Sequence, residues 1–520
     1  MKNFDADFIL GIDLGNDTSS ISCFNARAGK PEAVDLSGGY GKPSAPTVLQ
    51  YLRETSEWVF GEYAVQNEGA DNEVLISDII RNLENGERAA PYGESLGYAE
   101  ILGVYIRELV KNVKTLNPNA AIAGIAAVAP SWAGERAKSD LRAAFKEAGL
   151  GDKLIGLVSD RQCILGRYYF DNYQKKAARS KIMTIDFGSR EARAGVYEAS
   201  ITGAVVNINC TASHFDVNIG ARAINDAARE LFEKFYHLAD GGTSARPTRQ
   251  ALDSFAYKHR DLLFQRALKP IRLYFNFTYP PTQYNMSARD IKDFVTPFEV
   301  QLTDFIETAL KKAGFGSKEA ALREIDDVIC VGGGFEMDWA KKTARDFFGE
   351  KRVLFYKNAK VAAAEGASVV AAARLGTIEN FKEIIIRDKN QLRADIGLKV
   401  RCLKNELFTP LAERNSFWWQ ERPPKYVILD EKTDAPVTIT LWKRDAAGDV
   451  SRLKEITLQN LPKRPRGVTK LKIAARFDAR DSMTLLAEDC GFGELFPKGS
   501  YSQRFTLNLD VNRDAPDLNA

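Results

Sequence analysis

The sequence predicts a mixed α/β domain with two similar halves, followed by an all-β domain. A strand–glycine turn–strand pattern at residues 11–22 recurs at 182–200, where an apolar strand again leads into an aspartate and a glycine. Two such hairpins in one chain indicate a duplicated fold. Strand and helix patterns then alternate to about residue 381, whereas short β-type runs separated by turns follow from residue 396.

The two hairpins favour a site for a nucleotide phosphate. Backbone N–H groups of a tight glycine turn, such as those at Gly15 and Gly188, can surround phosphate oxygens. Asp13 and Asp186 cannot contact phosphate directly, so they imply an intervening divalent cation. Mg²⁺ suits this role because few carboxylates, several waters and the phosphates themselves hold it. Each hairpin alone is also compatible with an ordinary turn, and their recurrence favours the phosphate site.

A third glycine-rich element lies at residues 327–348, where an apolar strand passes through three glycines into a helix. Trp339, Ala340, Ala344 and Phe347 lie about one turn apart in that helix, which is typical of an apolar helix face. Gly332, Gly333 and Gly334 would let a planar or anionic ligand approach the backbone.

In this order, the segments resemble the superfamily of actin, sugar kinases and heat-shock ATPases, and within it the DnaK-type (seventy-kilodalton heat-shock) chaperones. GIDLG at residues 11–15 matches the first phosphate loop of that family. Further similar segments follow in family order at 128–150, 158–170, 213–235 and 361–372. Residues 394–400, 410–419, 435–445 and 461–489 resemble the family's β-sandwich peptide-binding domain, which a sugar kinase lacks.

The resemblance implies a two-lobed, actin-like ATPase domain followed by an all-β sandwich domain. The expected boundaries are 1–386 for the nucleotide-binding domain, 387–395 for a polar linker, 396–510 for the β-sandwich and 511–520 for a tail. The sequence ends where relatives continue into a helical lid, so we expect a lidless member. The implied ligands are ATP or ADP with Mg²⁺, and the implied partners are unfolded or extended polypeptides and co-chaperones.

The resemblance also assigns the site residues. Catalytic roles fall on Asp13, Asp186, Arg81 and Asp160, with Mg²⁺ held through water by Asp13 and Asp186. The nucleotide-binding positions are Gly15, Asn16, Asp17, Gly188, Ser189, Arg190, Gly220, Gly332, Gly333, Gly334 and Glu336. The peptide-binding positions are Leu403, Leu407, Phe408, Val427, Leu429 and Val437, for which the alternative is a place in the sandwich core.

Several positions depart from the family pattern. Residues 73–86 contain no lysine where relatives use one to orient the attacking water, and Arg81 is the nearest cation by position. Asn16 and Asp17 replace hydroxyl residues, Glu336 replaces an arginine that stacks on adenine, and Lys360 replaces an acidic residue. We therefore expect a chaperone with slow or absent ATP hydrolysis; the alternative is a non-hydrolysing nucleotide-binding scaffold that recognises one protein partner through the β-sandwich.

Composition narrows the remaining function classes. The chain has 520 residues, 45% of them hydrophobic, and a net charge of +3, which favours a two-domain protein without a nucleic-acid or membrane partner. The six cysteines form no CxxC pair, and the three histidines are scattered, so disulfide, metal-cluster and nucleophilic-triad chemistry are disfavoured. With no signal-peptide pattern at the N-terminus, we expect a cytoplasmic protein.

Overall fold

The chain divides into two compact units, residues 1–387 and 388–520. The structure, a computed structural model, describes residues 7–37, 39–66, 75–85, 87–93, 95–115, 118–130, 133, 135–172, 179–240, 247–259, 261–264, 271–277, 281–388, 391–402, 405–414, 416, 418, 422–445, 448–479 and 482–509. The first unit is mixed α/β and the second contains only strands among its described elements, which is the order that the sequence predicts.

The first half of unit 1 is built on a sheet with the strand order β11-β10-β1-β2-β3, and β4 pairs with β2. The strands are β1 Phe8–Leu14, β2 Thr18–Asn25, β3 Lys30–Ala33, β4 Ser44–Pro46, β5 Leu49–Leu52, β6 Glu57–Phe60, β7 Leu75–Ile76, β8 Arg88–Ala89, β9 Leu96–Gly97, β10 Ile122–Ala129 and β11 Leu154–Ser159. The helices are α1 Gly61–Gln66, α2 Ile79–Asn85, α3 Tyr98–Lys114, α4 Glu135–Glu147 and α5 Asp160–Asn172.

The second half is built on a sheet with the order β18-β17-β12-β13-β14-β19. Its strands are β12 Arg179–Phe187, β13 Ala192–Thr202, β14 Val205–Asp216, β15 Ile271–Phe275, β16 Thr282–Met286, β17 Asp327–Val331, β18 Val353–Phe355 and β19 Glu383–Asp388. Its helices are α6 Ala221–Asp240, α7 Arg249–His259, α8 Asp261–Phe264, α9 Ala288–Lys312, α10 Lys318–Glu324, α11 Asp338–Phe348 and α12 Ala362–Arg374.

The two sheets repeat one arrangement. Strand β1 is antiparallel to β2 and parallel to β10, and β12 is likewise antiparallel to β13 and parallel to β17. Each sheet therefore presents its first hairpin turn at the carboxyl end of an inner strand, where ligands of open α/β sheets bind.

Helices α5 and α12 pack between the two sheets, and two glycines allow their close approach. A Cβ atom on Gly366 of α12 would lie 1.8 Å from the Cys163 carbonyl oxygen of α5. One on Gly11 of β1 would lie 2.1 Å from the Ala364 carbonyl oxygen of α12. Because the neighbouring atoms are backbone atoms, only glycine fits at either position.

The second unit has two four-stranded antiparallel sheets, ordered β21-β20-β23-β24 and β22-β25-β26-β27. The strands are β20 Asp395–Cys402, β21 Asn405–Ala412, β22 Lys425–Leu429, β23 Val437–Arg444, β24 Val450–Leu458, β25 Thr469–Ala479, β26 Ser482–Asp489 and β27 Ser502–Asn508. Inward side chains of both sheets, including Leu441 and Leu485, form one buried cluster.

The predicted linker and tail fall at the edges of these elements. Strand β19 extends to Asp388 and β20 begins at Asp395, while residues 389–390 and the predicted tail 511–520 lie outside the described part of the chain. Within the described residues, none of the helices is both long and apolar enough to span a membrane.

Candidate functional site

A cleft of about 1040 Å³ in unit 1 brings together residues from both sheets. Most of the nucleotide-site residues predicted from the sequence line it, namely Asp13, Gly15, Asn16, Asp17, Asp160, Asp186, Gly188, Ser189, Arg190, Gly332, Gly333 and Glu336. Arg81, Gly220 and Gly334 are not among its lining residues.

The first hairpin turn of the cleft connects β1 to β2. Asp13 stands next to the last residue of β1, opposite Ser20 of β2, and is half-buried. A Cβ atom on Gly15 would lie 2.5 Å from the Thr18 carbonyl oxygen, so a larger residue would open the turn. Asp13 and Gly15 both line the cleft.

The second turn, between β12 and β13, is fixed from behind by the start of α6. The Arg222 backbone N–H donates to the Ser189 carbonyl at 2.7 Å, and the Ala221 N–H donates to the Gly188 carbonyl at 3.0 Å. A Cβ atom on Gly220 would lie 2.5 Å from the Ser189 carbonyl oxygen. Gly220 thus supports the turn without facing the cleft.

The third glycine element contacts the second hairpin directly. Gly332 has φ +91° and a Cβ there would lie 2.5 Å from Asp186 Oδ1, so both conformation and space require glycine. A Cβ on Gly334 would lie 2.2 Å from the Phe187 ring, which makes Gly334 a packing position. Beside this loop, Glu336 and Lys360 form an ion pair at 2.9 Å.

Three aspartates and one arginine form the electrostatic centre of the cleft. Burial raises the pKa of Asp13 to about 7, and the charges of Asp186 and Asp160 add to this effect. Burial likewise raises the pKa of Asp186 to about 6, although the Arg193 guanidinium opposes the increase. Arg193 donates to Asp160 at 2.7 Å and also pairs with Glu191. The centre is therefore short of positive charge.

The whole lining carries this imbalance, with ten acidic and five basic residues. Each of the five basic side chains already pairs with an acidic residue of the lining; the pairs are Lys42–Glu62, Arg190–Asp78, Arg193–Asp160, Arg222–Asp78 and Lys360–Glu336. A bare polyanion would be repelled, whereas a cation or a cation-bound anion would be attracted.

Direct coordination of a metal by several side chains has no support in the described residues, where no group of three or more His, Cys, Asp or Glu side chains is arranged to hold an ion. The donor set instead fits a cation that keeps most of its waters, as Mg²⁺ does. Among the described residues, Asn16 Oδ1, Ser189 Oγ and Arg190 Nε are buried without a hydrogen-bond partner, and all three residues line the cleft.

Sequence reasoning selected Arg81 and overlooked Asp78. Arg81 is exposed on α2, whereas Asp78, which immediately precedes the helix, lines the cleft and pairs with Arg190 and Arg222. Burial acts to raise the pKa of Asp78, but the hydrogen bond and charge of Arg190 hold it below its ordinary value. The partners are more than a hundred residues away, so no local pattern pointed to Asp78.

The predicted peptide-binding residues of unit 2 occupy different environments. Leu407 is 53% exposed on β21, and Phe408 is half-buried with the Arg444 guanidinium 4.6 Å from its ring centre. Leu429 and Val437 are buried in the cluster between the sheets, and Val427 packs against it. Leu403 lies outside the described residues.

Comparison with curated proteins finds similarity over nearly the whole chain. The chain is 22% identical to the chaperone protein DnaK of Anaplasma marginale (strain St. Maries), over 94% of this chain and 76% of that protein. It is 23% identical to that of Thermosipho africanus (strain TCF52B) and 24% identical to that of Thermotoga neapolitana, in both cases over 94% of this chain and 79% of the relative.

Two shorter matches concern families without an assigned function. Residues 30–235 match the C-terminal part of a family of unknown function (DUF5716), and residues 391–509 match a domain of unknown function (DUF8552). The near-full-length similarity supports a distant relationship to the DnaK chaperones and suggests a chaperone-like function.

Proposed function

We propose that this protein is a divergent DnaK-like chaperone whose unit 1 is an actin-like domain binding ATP or ADP with Mg²⁺, and whose unit 2 is a β-sandwich binding extended polypeptides. The observation that carries the nucleotide proposal is the meeting of Asp13 and Asp186, from equivalent hairpins of two similar sheets, in one glycine-lined cleft.

The residues present fit a magnesium-bound phosphate group. The turns at Gly15 and Gly188 would direct backbone N–H groups toward phosphate oxygens. Asp13 and Asp186 would hold Mg²⁺ through water, and the Ser189 hydroxyl group would donate a hydrogen bond to a phosphate oxygen. When bound, Mg²⁺ would supply the positive charge that the acidic lining lacks. We therefore expect nucleotide binding to depend strongly on magnesium.

We expect slow ATP hydrolysis or none. Asp160 stands where the resemblance places the family's connecting glutamate, and Arg193 donates to its carboxylate at 2.7 Å. Arg81, the cation that the resemblance suggests for orienting water, is exposed on α2 and is not part of the cleft lining. The pairing of all five basic lining residues also favours the second candidate function, a nucleotide-binding scaffold with little turnover.

Isothermal titration with Mg-ATP and Mg-ADP, with and without a chelator, tests the nucleotide site. We expect binding only with magnesium, and Asp186→Ala should weaken it at least roughly tenfold, or about 1.4 kcal/mol. Asp338→Ala is a matched control, because Asp338 also lines the cleft but its side chain is 58% exposed and pairs with Lys341. Equal affinity with and without chelator, or equal loss in both variants, would contradict the proposal.

A turnover assay separates the two candidate functions. Slow phosphate release from bound ATP that disappears in Asp160→Asn would support an ATPase-driven chaperone. Binding without release in the wild-type protein would support the scaffold.

A further inference from the structure

The Asp78 carboxylate bridges two arginines across the cleft of unit 1. Asp78 precedes α2, which packs on the first sheet, while Arg190 stands in the β12–β13 turn and Arg222 in the first turn of α6. Arg190 donates to Asp78 Oδ1, and Arg222 Nη1 lies 3.3 Å from the same oxygen. All three residues line the cleft and form what we call the Asp78 cluster.

The backbone at Asp78 is unusual. Its φ is +55°, and the other non-glycine residues with positive φ in the described part of the chain are Ser56 and Asn460. Side chains disfavour this conformation, and it persists where the surroundings enforce it. At Asp78 the side chain is held by the ion pairs with Arg190 and Arg222, and the backbone carbonyl accepts from the Asn82 N–H at 3.1 Å.

Two guanidinium groups converging on one acidic oxygen have the chemistry of a phosphate site. Arginine donates from a rigid, planar fork that matches both carboxylate and phosphate oxygens. Arg190 retains a donor for a further acceptor, because its Nε atom is buried without a partner in the described structure. Both arginines lie beside the Gly188–Ser189 turn, whose carbonyl oxygens accept from the Ala221 and Arg222 backbone N–H groups at the start of α6.

We propose that Arg190 and Arg222 form a phosphate-binding site that the Asp78 carboxylate fills in this structure. A phosphoryl group that binds there displaces Asp78, so Asp78 lowers the affinity of the cleft for phosphate. This inference rests on the proposed function only in taking the phosphoryl group to be part of a nucleotide. Free inorganic phosphate presents the same anionic oxygens to the two arginines, so it tests the site independently of nucleotide binding.

Titration of the full chain with inorganic phosphate and with Mg-ADP and Mg-ATP tests the inference. Asp78→Asn should raise the affinity for phosphate and for Mg-ATP about tenfold, because it releases both arginines. The control is Asp226→Asn, which removes one negative charge from the same lining but from a residue that pairs with Arg229. The affinity of Asp226→Asn for both ligands should rise by less than about threefold, because this variant only lowers the negative charge of the lining.

Variants of the two arginines test whether the gain in affinity depends on them. Adding Arg190→Gln and Arg222→Gln to Asp78→Asn should abolish the gain, and thermal unfolding verifies that each variant is folded. Equal gains in Asp78→Asn and Asp226→Asn, or a gain that survives loss of both arginines, would overturn the inference while leaving the nucleotide site intact. Tighter phosphate binding by Asp78→Asn, with no nucleotide bound by any variant, would sustain the phosphate site and overturn the proposed function.

Discussion

Burial and like charge place the carboxyl groups of Asp13 and Asp186 close to half-protonation near neutral pH, with pKa values of about 7 and about 6. Both values lie above those of an unfolded chain, near 4. The folded protein therefore holds more protons than the unfolded chain between about pH 4 and pH 7, and its stability falls as pH rises through that window.

Ionisation of these two carboxyl groups should lower the stability of the magnesium-free protein and raise its affinity for Mg-ATP. In chelator, the unfolding temperature should fall from about pH 4 to about pH 7, and the fall should be smaller in Asp13→Asn. The affinity for Mg-ATP should rise over the same range, because only the ionised carboxylates attract the cation. Thermal unfolding and titration calorimetry at each pH measure both trends; a Mg-ATP affinity independent of pH would contradict the role of Asp13.

The Arg464–Asp489 pair in unit 2 has the opposite effect on stability as pH changes. Its side chains are 5% and 0% exposed, and both guanidinium Nη atoms donate to the carboxylate at 2.7 Å. Burial acts to raise the pKa of Asp489, but hydrogen bonds from Arg464 and from the backbone of Gly499 and Gly491 hold it below its ordinary value. Its contribution is present above about pH 4 and is lost as pH falls through the lowered pKa.

Replacing Asp489 should destabilise the second unit strongly. Asp489→Asn leaves the Arg464 charge buried without its counter-ion, which costs about 3–5 kcal/mol in comparable sites. Glu488→Gln removes the neighbouring pair with Lys472, which is 3.1 Å long and more than 30% exposed on both sides, and should cost less than about 1 kcal/mol. Urea unfolding measures the free energy of unfolding of both variants. Equal losses would show that burial of the Arg464–Asp489 pair does not strengthen its contribution.

At the scale of elements, the hairpins could be predicted because their information is local. An apolar strand, an aspartate and a glycine within ten residues specify the turn at Asp13 and again at Asp186. The Asp78 cluster could not be predicted, since Asp78 is more than a hundred residues from Arg190 and from Arg222 and meets them only when the two sheets face each other. Glu336 and Lys360 each stand out as a lone departure in sequence, yet they form one ion pair in space.

The crossing of α5 and α12 gives a prediction about packing. Gly366→Ala would gain about 1 kcal/mol in helix propensity. However, the new methyl group would lie 1.8 Å from the Cys163 carbonyl oxygen, and such overpacking costs about 1–3 kcal/mol or more. We expect a net loss of stability, measured by urea unfolding. Gly316→Ala is the control, because its Cβ would meet no atom within 4 Å; if both variants are equally stable, the helices do not need a glycine at their crossing.

For the whole molecule, the division into two units indicates that unit 2 can fold alone. Its two sheets share one buried cluster that draws on residues from Leu392 to Leu509. The fragment 391–509 should therefore give an all-β circular dichroism spectrum and unfold cooperatively. A disordered fragment would show that unit 2 requires unit 1.

The side chains of unit 2 also limit where a peptide could bind. An extended peptide satisfies its backbone against strand edges and loops while alternate side chains enter pockets. Leu407, 53% exposed on the edge strand β21, is available for such contacts, whereas Leu429 and Val437 are already buried. The sequence alone could not separate these cases, because an apolar residue in a short strand suits either face until the register is known.

We therefore expect Leu407→Ser to weaken binding of a labelled apolar peptide at least about threefold, through loss of apolar area. Leu495→Ser is the matched control, because Leu495 is 87% exposed between β26 and β27 and should not affect binding. The linker that the sequence predicts at 387–395 is polar, so Mg-ATP should change the peptide affinity of the full chain little. Fluorescence anisotropy measures both effects: absence of binding would favour the partner-specific scaffold, and a large decrease in affinity with Mg-ATP would indicate a fully coupled chaperone.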